Sequence, residues 1–156
     1  MTVDPALLFE GAPRFLARLA AVAGPPAGDD AWFASARRIA HAMPEPEQVE
    51  LIDAHPRLGA APARVSALSY AEQGYDRDAA PAVDVAAELE RLNEAYEARF
   101  GFRYCVYVAG RSREALLPGM AAALGQDRRE ELHRALDAIV DIASDRYAKL
   151  SAEAPR

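Results

Sequence analysis

An all-α bundle of about seven to nine helices, with one extended segment near residues 102–109, is the fold that three observations on the 156-residue chain predict. Alanine, the best helix former and a poor strand former, fills 36 positions. Larger apolar residues recur at helical spacing in long stripes, at 31–43, 81–100 and 127–150. One segment, FRYCVYVAG from Phe102, alternates loosely as a strand does, but a lone strand has no partner. An extended stretch threaded among helices is therefore the expectation. The length is that of one domain, taken here as 1–156, long enough to close a core unaided.

The elements follow in order. Asp4 can cap a short first helix with Pro5 at its first position. Gly11 interrupts it, and residues 13–22 resume with Phe15, Leu16, Leu19 and Val22 on one face. AGPPAGDD is a loop by composition, and Asp29 or Asp30 caps the helix over 31–43, which carries Trp32, Phe33, Ala36, Ile39, Ala40 and Met43. Pro44 and Pro46 break the chain before a short helix from Glu47 to His55, stopped by Pro56. Residues 56–68 read as an ordered loop, longer than a compact domain usually needs. A helical turn opens at Ser69. Residues 81–100 then place Val85, Leu89, Leu92, Tyr96 and Phe100 on one stripe, with Gly101 as C-cap. A helix near 112–124 follows. The last, 127–150, aligns Leu132, Leu136, Ile139, Ala143, Tyr147 and Leu150.

Charge and composition exclude several classes. A net charge of −6 and a pI near 5.1 give no general attraction to phosphate backbones, so no nucleic-acid partner is expected. Seventeen of the 18 cationic residues are Arg, which leaves Lys149 alone for Schiff-base chemistry. One cysteine, Cys105, excludes an intrachain disulfide and a cysteine-cluster metal site, and reads as a buried small hydrophobe. No apolar run approaches the ~20 residues that span a bilayer, and the N-terminus has Asp4 where a signal peptide needs basic residues. The expectation is a cytoplasmic helical domain without a membrane partner.

Three positions stand out chemically. His55, in DAHPRLG, shares a face with Leu51 and Ile52 and sits at a helix C-terminus, where carbonyl dipoles favour imidazolium. Such a group can donate a proton, although a histidine so placed is more often a packing residue. Ser69 and Glu72 in SYAEQ form a capping box, which is sufficient as a structural reading. The same helix start, with Gln73, would also suit a polar ligand rich in ureido groups. Arg146 rides beside the apolar stripe of the last helix, four and seven residues after Ile142 and Ile139. It either snorkels to water or turns inward as a bidentate clamp for a carboxylate. His41 and His133 lie off their stripes and share no metal spacing with His55 or with acids. No phosphate loop, dinucleotide fingerprint or nucleophile elbow is present, and no metal site is expected.

AHPRLG, SYAEQ, EAYEARFGFRY and GRSRE, closed by a last helix bearing the Arg146–Tyr147 pair, occur in an order and spacing that resemble the OHCU decarboxylases. These are the 2-oxo-4-hydroxy-4-carboxy-5-ureidoimidazoline decarboxylases, and the resemblance runs from about residue 8 to 150. It implies a cofactor-free, all-helical lyase of urate breakdown, usually a homodimer, that yields (S)-allantoin from a small ureidoimidazoline. The family's catalytic histidine falls on His55, and its other catalytic groups on Glu72 and Arg146. Its substrate-contacting positions fall on Pro56, Ser69 and Gln73, and on the backbone of Val106, Tyr107, Val108, Ala109 and Gly110. In the mechanism so implied, Arg146 anchors anionic or carbonyl oxygen, Glu72 and Gln73 hold hydroxyl and ureido groups, and His55 acts as imidazolium. The chain departs from the pattern at Arg103, Tyr104, Ser144–Asp145 and Gly74–Tyr75–Asp76. The departures after Gln73 and at Arg103 motivate one alternative, a paralogue acting on another ureido or heterocyclic acid. A second, from a different class, is a non-catalytic helical interaction module, in which His55, Glu72 and Arg146 would point to separate places.

Overall fold

The structure, a computed structural model, describes residues 3–60, 67–73 and 83–153. Among the described residues there are eight helices and no strand. They are α1 (Pro5–Leu8), α2 (Pro13–Ala23), α3 (Asp30–Ala42), α4 (Glu45–Asp53), α5 (Ala67–Glu72), α6 (Val83–Phe100), α7 (Arg113–Ala123) and α8 (Arg128–Glu153). Residues 103–108 are neither helix nor strand, as the missing strand partner requires.

Local chemistry explains the boundaries. Asp4 accepts from the Ala6 amide at 2.9 Å, and Pro5 follows it. Asp29, not Asp30, caps α3 by accepting from Trp32 N at 2.8 Å. Ser112 caps α7 through Ala115 N at 3.1 Å, and Asp127 accepts from the amides of Arg129 and Glu130 at the start of α8. Gly101, at φ +81°, ends α6 with its amide on the Glu97 carbonyl. Two expectations are corrected. Pro46 begins α4 instead of breaking the chain before it, because the first-turn N–H groups of a helix have no intrahelical partner to lose. Ser69 is the third residue of α5, which starts at Ala67, so Ser69 and Glu72 do not form the N-terminal capping box.

The chain divides into two compact units, Met1–His55 with Leu132–Arg156, and Pro56–Glu131. In the first, α2 packs on α3 and α4. Phe9, Phe15 and Trp32 form an aromatic chain, with Phe9–Phe15 centroids 4.8 Å apart and edge-to-face. Phe33 continues it to Tyr147. Ala36, Ala40, Ala135 and Ala143 are wholly buried, which identifies part of the alanine excess as small residues at helix contacts. Val22, placed on the apolar face by spacing, is instead 63% exposed. Gly28 is required: a Cβ there would lie 2.1 Å from the Tyr147 ring, and its φ is +73°.

In the second unit α6 packs on α7. The EAYEARFGFRY motif folds its aromatics together. Tyr96 lies 4.6 Å from Phe100 and 5.1 Å from Tyr104 between centroids, and contacts Phe102 edge-on. The Tyr96 hydroxyl donates to the buried Glu131 carboxylate at 3.0 Å, which gives the ring's polar tip a partner.

Candidate functional site

His55 lies two residues past the end of α4, with its amide on the Ile52 carbonyl, and is 4% exposed. Its Nδ1 meets the Leu51 carbonyl at 3.1 Å. A carbonyl only accepts, so Nδ1 carries the hydrogen and Nε2 is the basic nitrogen. Burial, and then the positive charge of Arg146, push the imidazole down to about 4, outweighing the Leu51 carbonyl and Glu10, which favour the proton. The expectation of an imidazolium is therefore corrected. Desolvation of a fully buried ring exceeds the benefit of a helix end, and His55 is neutral at physiological pH.

Arg146 settles between its two readings by burial. At 1% exposure it does not snorkel. Nη1 donates to the carbonyls of Leu7 and Leu8 at 3.1 and 3.2 Å, and Nη2 to Glu10 Oε1 at 2.8 Å. These carbonyls end the four-residue α1, where orphan acceptors and the helix dipole both favour a cation. Glu10 is the functional candidate that periodicity missed. It sits outside any helix at φ +56°, 136 residues from Arg146 in sequence, so no local pattern announces it. Its signal is an acid directly ahead of Gly11 at the helix break.

The second unit holds the remaining candidates. Gln73 is buried, and its carboxamide braces the loop after His55–Pro56: Oε1 accepts from Gly59 N at 2.8 Å and Nε2 donates to the Arg57 carbonyl at 3.3 Å. Buried Asn93 donates to the Leu58 carbonyl at 2.9 Å, so residues 57, 58 and 59 are each held by a side-chain amide. Arg57 adds a two-point ion pair with Glu97. Arg103, one of the departures from the family pattern, lies 3.9 Å from the same carboxylate, so charge pairing accounts for it. Ser69 is buried and Glu72 half-buried.

Val106, Tyr107 and Val108 form the end of the extended segment. Ala109 and Gly110 then turn the chain at φ +51° and +77°, with Arg111 N on the Val108 carbonyl at 3.1 Å. Arg111 also reaches the Val108 and Tyr107 carbonyls with its guanidinium. Such a turn fixes the backbone groups of 106–110, which suits recognition by main-chain N–H and C=O. Gly74–Tyr75–Asp76 lie outside the described residues.

His41 and His133, which lie off the apolar stripes of their helices, meet in the first unit. Their Nδ1 atoms are 2.6 Å apart, and His41 Nε2 is 2.7 Å from Asp137 Oδ1. Arg37 bridges Asp137 and Asp141 at 2.6 and 2.8 Å. Among the described residues no group of three or more His, Cys, Asp or Glu is arranged to hold a metal ion, and no helix is long and apolar enough to cross a membrane.

Fold and geometry thus define an all-helical protein whose first unit buries an imidazole and a guanidinium, the latter paired with a half-buried carboxylate. The sequence pattern described as OHCU decarboxylase matches residues 6–148, and the chain belongs to that family. It is 30% identical over 132 residues to the 2-oxo-4-hydroxy-4-carboxy-5-ureidoimidazoline decarboxylase of Haloferax volcanii, covering 78% of this chain and 71% of that one. A crystal structure of OHCU decarboxylase in the presence of (S)-allantoin is similar in fold, with TM-score 0.72 at 21% identity over 95% of this chain and 96% of the other. An (S)-allantoin synthase structure matches with TM-score 0.67 at 17% identity over 92% of this chain, which spans 47% of that longer one.

Proposed function

We propose that the protein decarboxylates 2-oxo-4-hydroxy-4-carboxy-5-ureidoimidazoline to (S)-allantoin. The reading rests on family membership, and the observation that carries it in this chain is Arg146, buried beside a neutral His55. The substrate carries its carboxylate on a ring carbon next to a C=N bond. When the C–C bond to CO2 breaks, its electron pair forms a double bond between the two ring carbons, the C=N π pair moves onto the ring nitrogen, and that nitrogen takes up a proton from solvent. The substrate is its own electron sink. The resulting enol loses its hydroxyl proton and gains one on the ureido-bearing carbon, which becomes the stereocentre of allantoin.

The protein's part is positioning and charge. Arg146 supplies the fixed positive charge toward the oxygen that becomes anionic. His55, neutral and with Nε2 basic, accepts the hydroxyl proton and returns a proton to one face of the ring, as a general base and then a general acid. Pro56, held by the braced 57–59 segment, Ser69, Glu72 and the 106–110 backbone are the groups we assign to the substrate's polar edges. Gln73 supports the reading as a brace for the loop rather than as a free amide, since both ends of its carboxamide are engaged.

The test is turnover of freshly generated substrate. The expected result is loss of the ureidoimidazoline well above its spontaneous rate with wild-type protein, and a rate near the spontaneous one with His55→Asn. A His55→Asn protein with full turnover would remove the histidine from the mechanism. A wild-type protein inert toward this substrate would overturn the assignment.

A further inference from the structure

Among the described residues, Leu7, Leu8 and Glu10 form a socket for Arg146. Both Nη1 hydrogens are committed to the Leu7 and Leu8 carbonyls, and the third point is Glu10, whose carboxylate meets Nη2 at 2.8 Å. The two carbonyls come from the end of a helix only four residues long, which by itself fixes little. The carboxylate is therefore the part of the socket with charge enough to hold a guanidinium, and charge-assisted bonds are the stronger kind.

The backbone at Glu10 is consistent with that task. A non-glycine residue at φ +56° is strained and persists where the surroundings impose it. Gly11, next in line, also has positive φ, so the chain makes two left-handed steps between α1 and α2. Glycine, with no Cβ, would adopt this conformation without strain. Glutamate at this point turns a carboxylate, 15% exposed, toward a wholly buried cation.

The pair also acts on His55. From α8, Arg146 disfavours the imidazolium; from the α1–α2 turn, Glu10 favours it; from α4, the Leu51 carbonyl receives Nδ1–H. Glu10 sets a negative charge against the buried positive charge that faces the imidazole. With it, Arg146 is neutralised on one side and its direction is fixed.

We propose that Glu10 is a positioning residue for the decarboxylation, holding the Arg146 guanidinium in register beside His55. The inference rests on the reaction assigned above. Glu10 acts through Arg146, not on the substrate. Its loss therefore frees the guanidinium without removing its charge: an anionic substrate still binds, but the charge no longer meets the oxygen that becomes anionic.

The experiment compares wild type, Glu10→Gln and Glu10→Asp on freshly generated ureidoimidazoline, with kcat and KM resolved per folded molecule by circular dichroism. The expected result for Glu10→Gln is a kcat at least tenfold lower with KM unchanged or reduced, and partial recovery of kcat in Glu10→Asp, which keeps the charge but shortens the reach. An unchanged kcat, or a raised KM at full kcat, in a folded Glu10→Gln protein overturns the inference while leaving the decarboxylase reading intact. A wild-type protein inert toward the substrate overturns both. If Glu10→Gln does not fold, Glu10→Asp decides: lower kcat at unchanged KM supports the positioning role, and wild-type kcat refutes it.

Discussion

The first unit carries two clusters built from the same three groups: a guanidinium, a carboxylate and an imidazole. In one, Arg146, Glu10 and His55 are 1%, 15% and 4% exposed in turn, and the imidazole is pushed down to about 4. In the other, Arg37, Asp137 and His41 are 38%, 46% and 27% exposed at side-chain level, with bond lengths just as short. Distances do not separate them. Burial does: in the first, each charge has traded water for a fixed partner, and removing a partner leaves an uncompensated charge. In the second, water stands ready to replace whatever is lost.

The largest effect expected from this contrast follows Arg146→Met. It strips the partner from an inward-turned carboxylate and from two helix-end carbonyls, and should destabilise the protein by about 3–5 kcal/mol. Denaturant melts measure it, and turnover should fall to near the spontaneous rate. A loss below about 1 kcal/mol would place Arg146 in the same class as Arg37.

Acid sensitivity comes next. The folded-state value of His55 lies below its ordinary 6.5, so the unfolded chain binds a proton that the folded one refuses. Stability from this group is complete above about pH 6.5 and is lost as pH falls through about 4, by about 3 kcal/mol if the whole shift is realised. The gap between wild type and His55→Asn in urea melts should therefore move in the variant's favour between pH 7 and 4.5. A constant gap would show that His55 is not buried as a neutral ring.

The exposed cluster supplies the smallest effect. Arg37→Ala should cost less than about 1 kcal/mol and lose most of that at 1 M salt, where the Debye length is about 3 Å. Asp137 is held below the usual carboxylate range: burial opposes ionisation, but His41 and Arg37 outweigh it. Its contribution persists above its unfolded value and disappears only as the pH falls through the depressed one. A cost for Arg37→Ala equal to that for Arg146→Met would break the comparison.

How much of this was legible in the sequence depends on range. Caps at Asp4 and Gly101, the helical stripes and the extended FRYCVYV segment are written in neighbouring residues, and the helices follow them. Pro46 was misjudged because a proline in a first turn and a proline that breaks a helix look alike until the start is known. Arg146 could be placed beside an apolar stripe, yet its choice between water and interior depended on Leu7, Leu8 and Glu10, more than 130 residues away. The pairing of His41 with His133 is invisible in sequence for the same reason: the two are 92 residues apart and join only when α3 meets α8. The protonation of His55 departs from expectation because a helix end is visible in sequence, whereas complete desolvation is not.

The central claim, that a neutral buried histidine and a fixed arginine guide decarboxylation and one-sided protonation, is tested most directly by the handedness of the product. Freshly generated ureidoimidazoline is converted by the wild-type protein while circular dichroism follows the allantoin formed. Accumulation of optically active (S)-allantoin, abolished in Arg146→Met and in His55→Asn, is the predicted result. Racemic allantoin appearing at the spontaneous rate with the wild-type protein would contradict it.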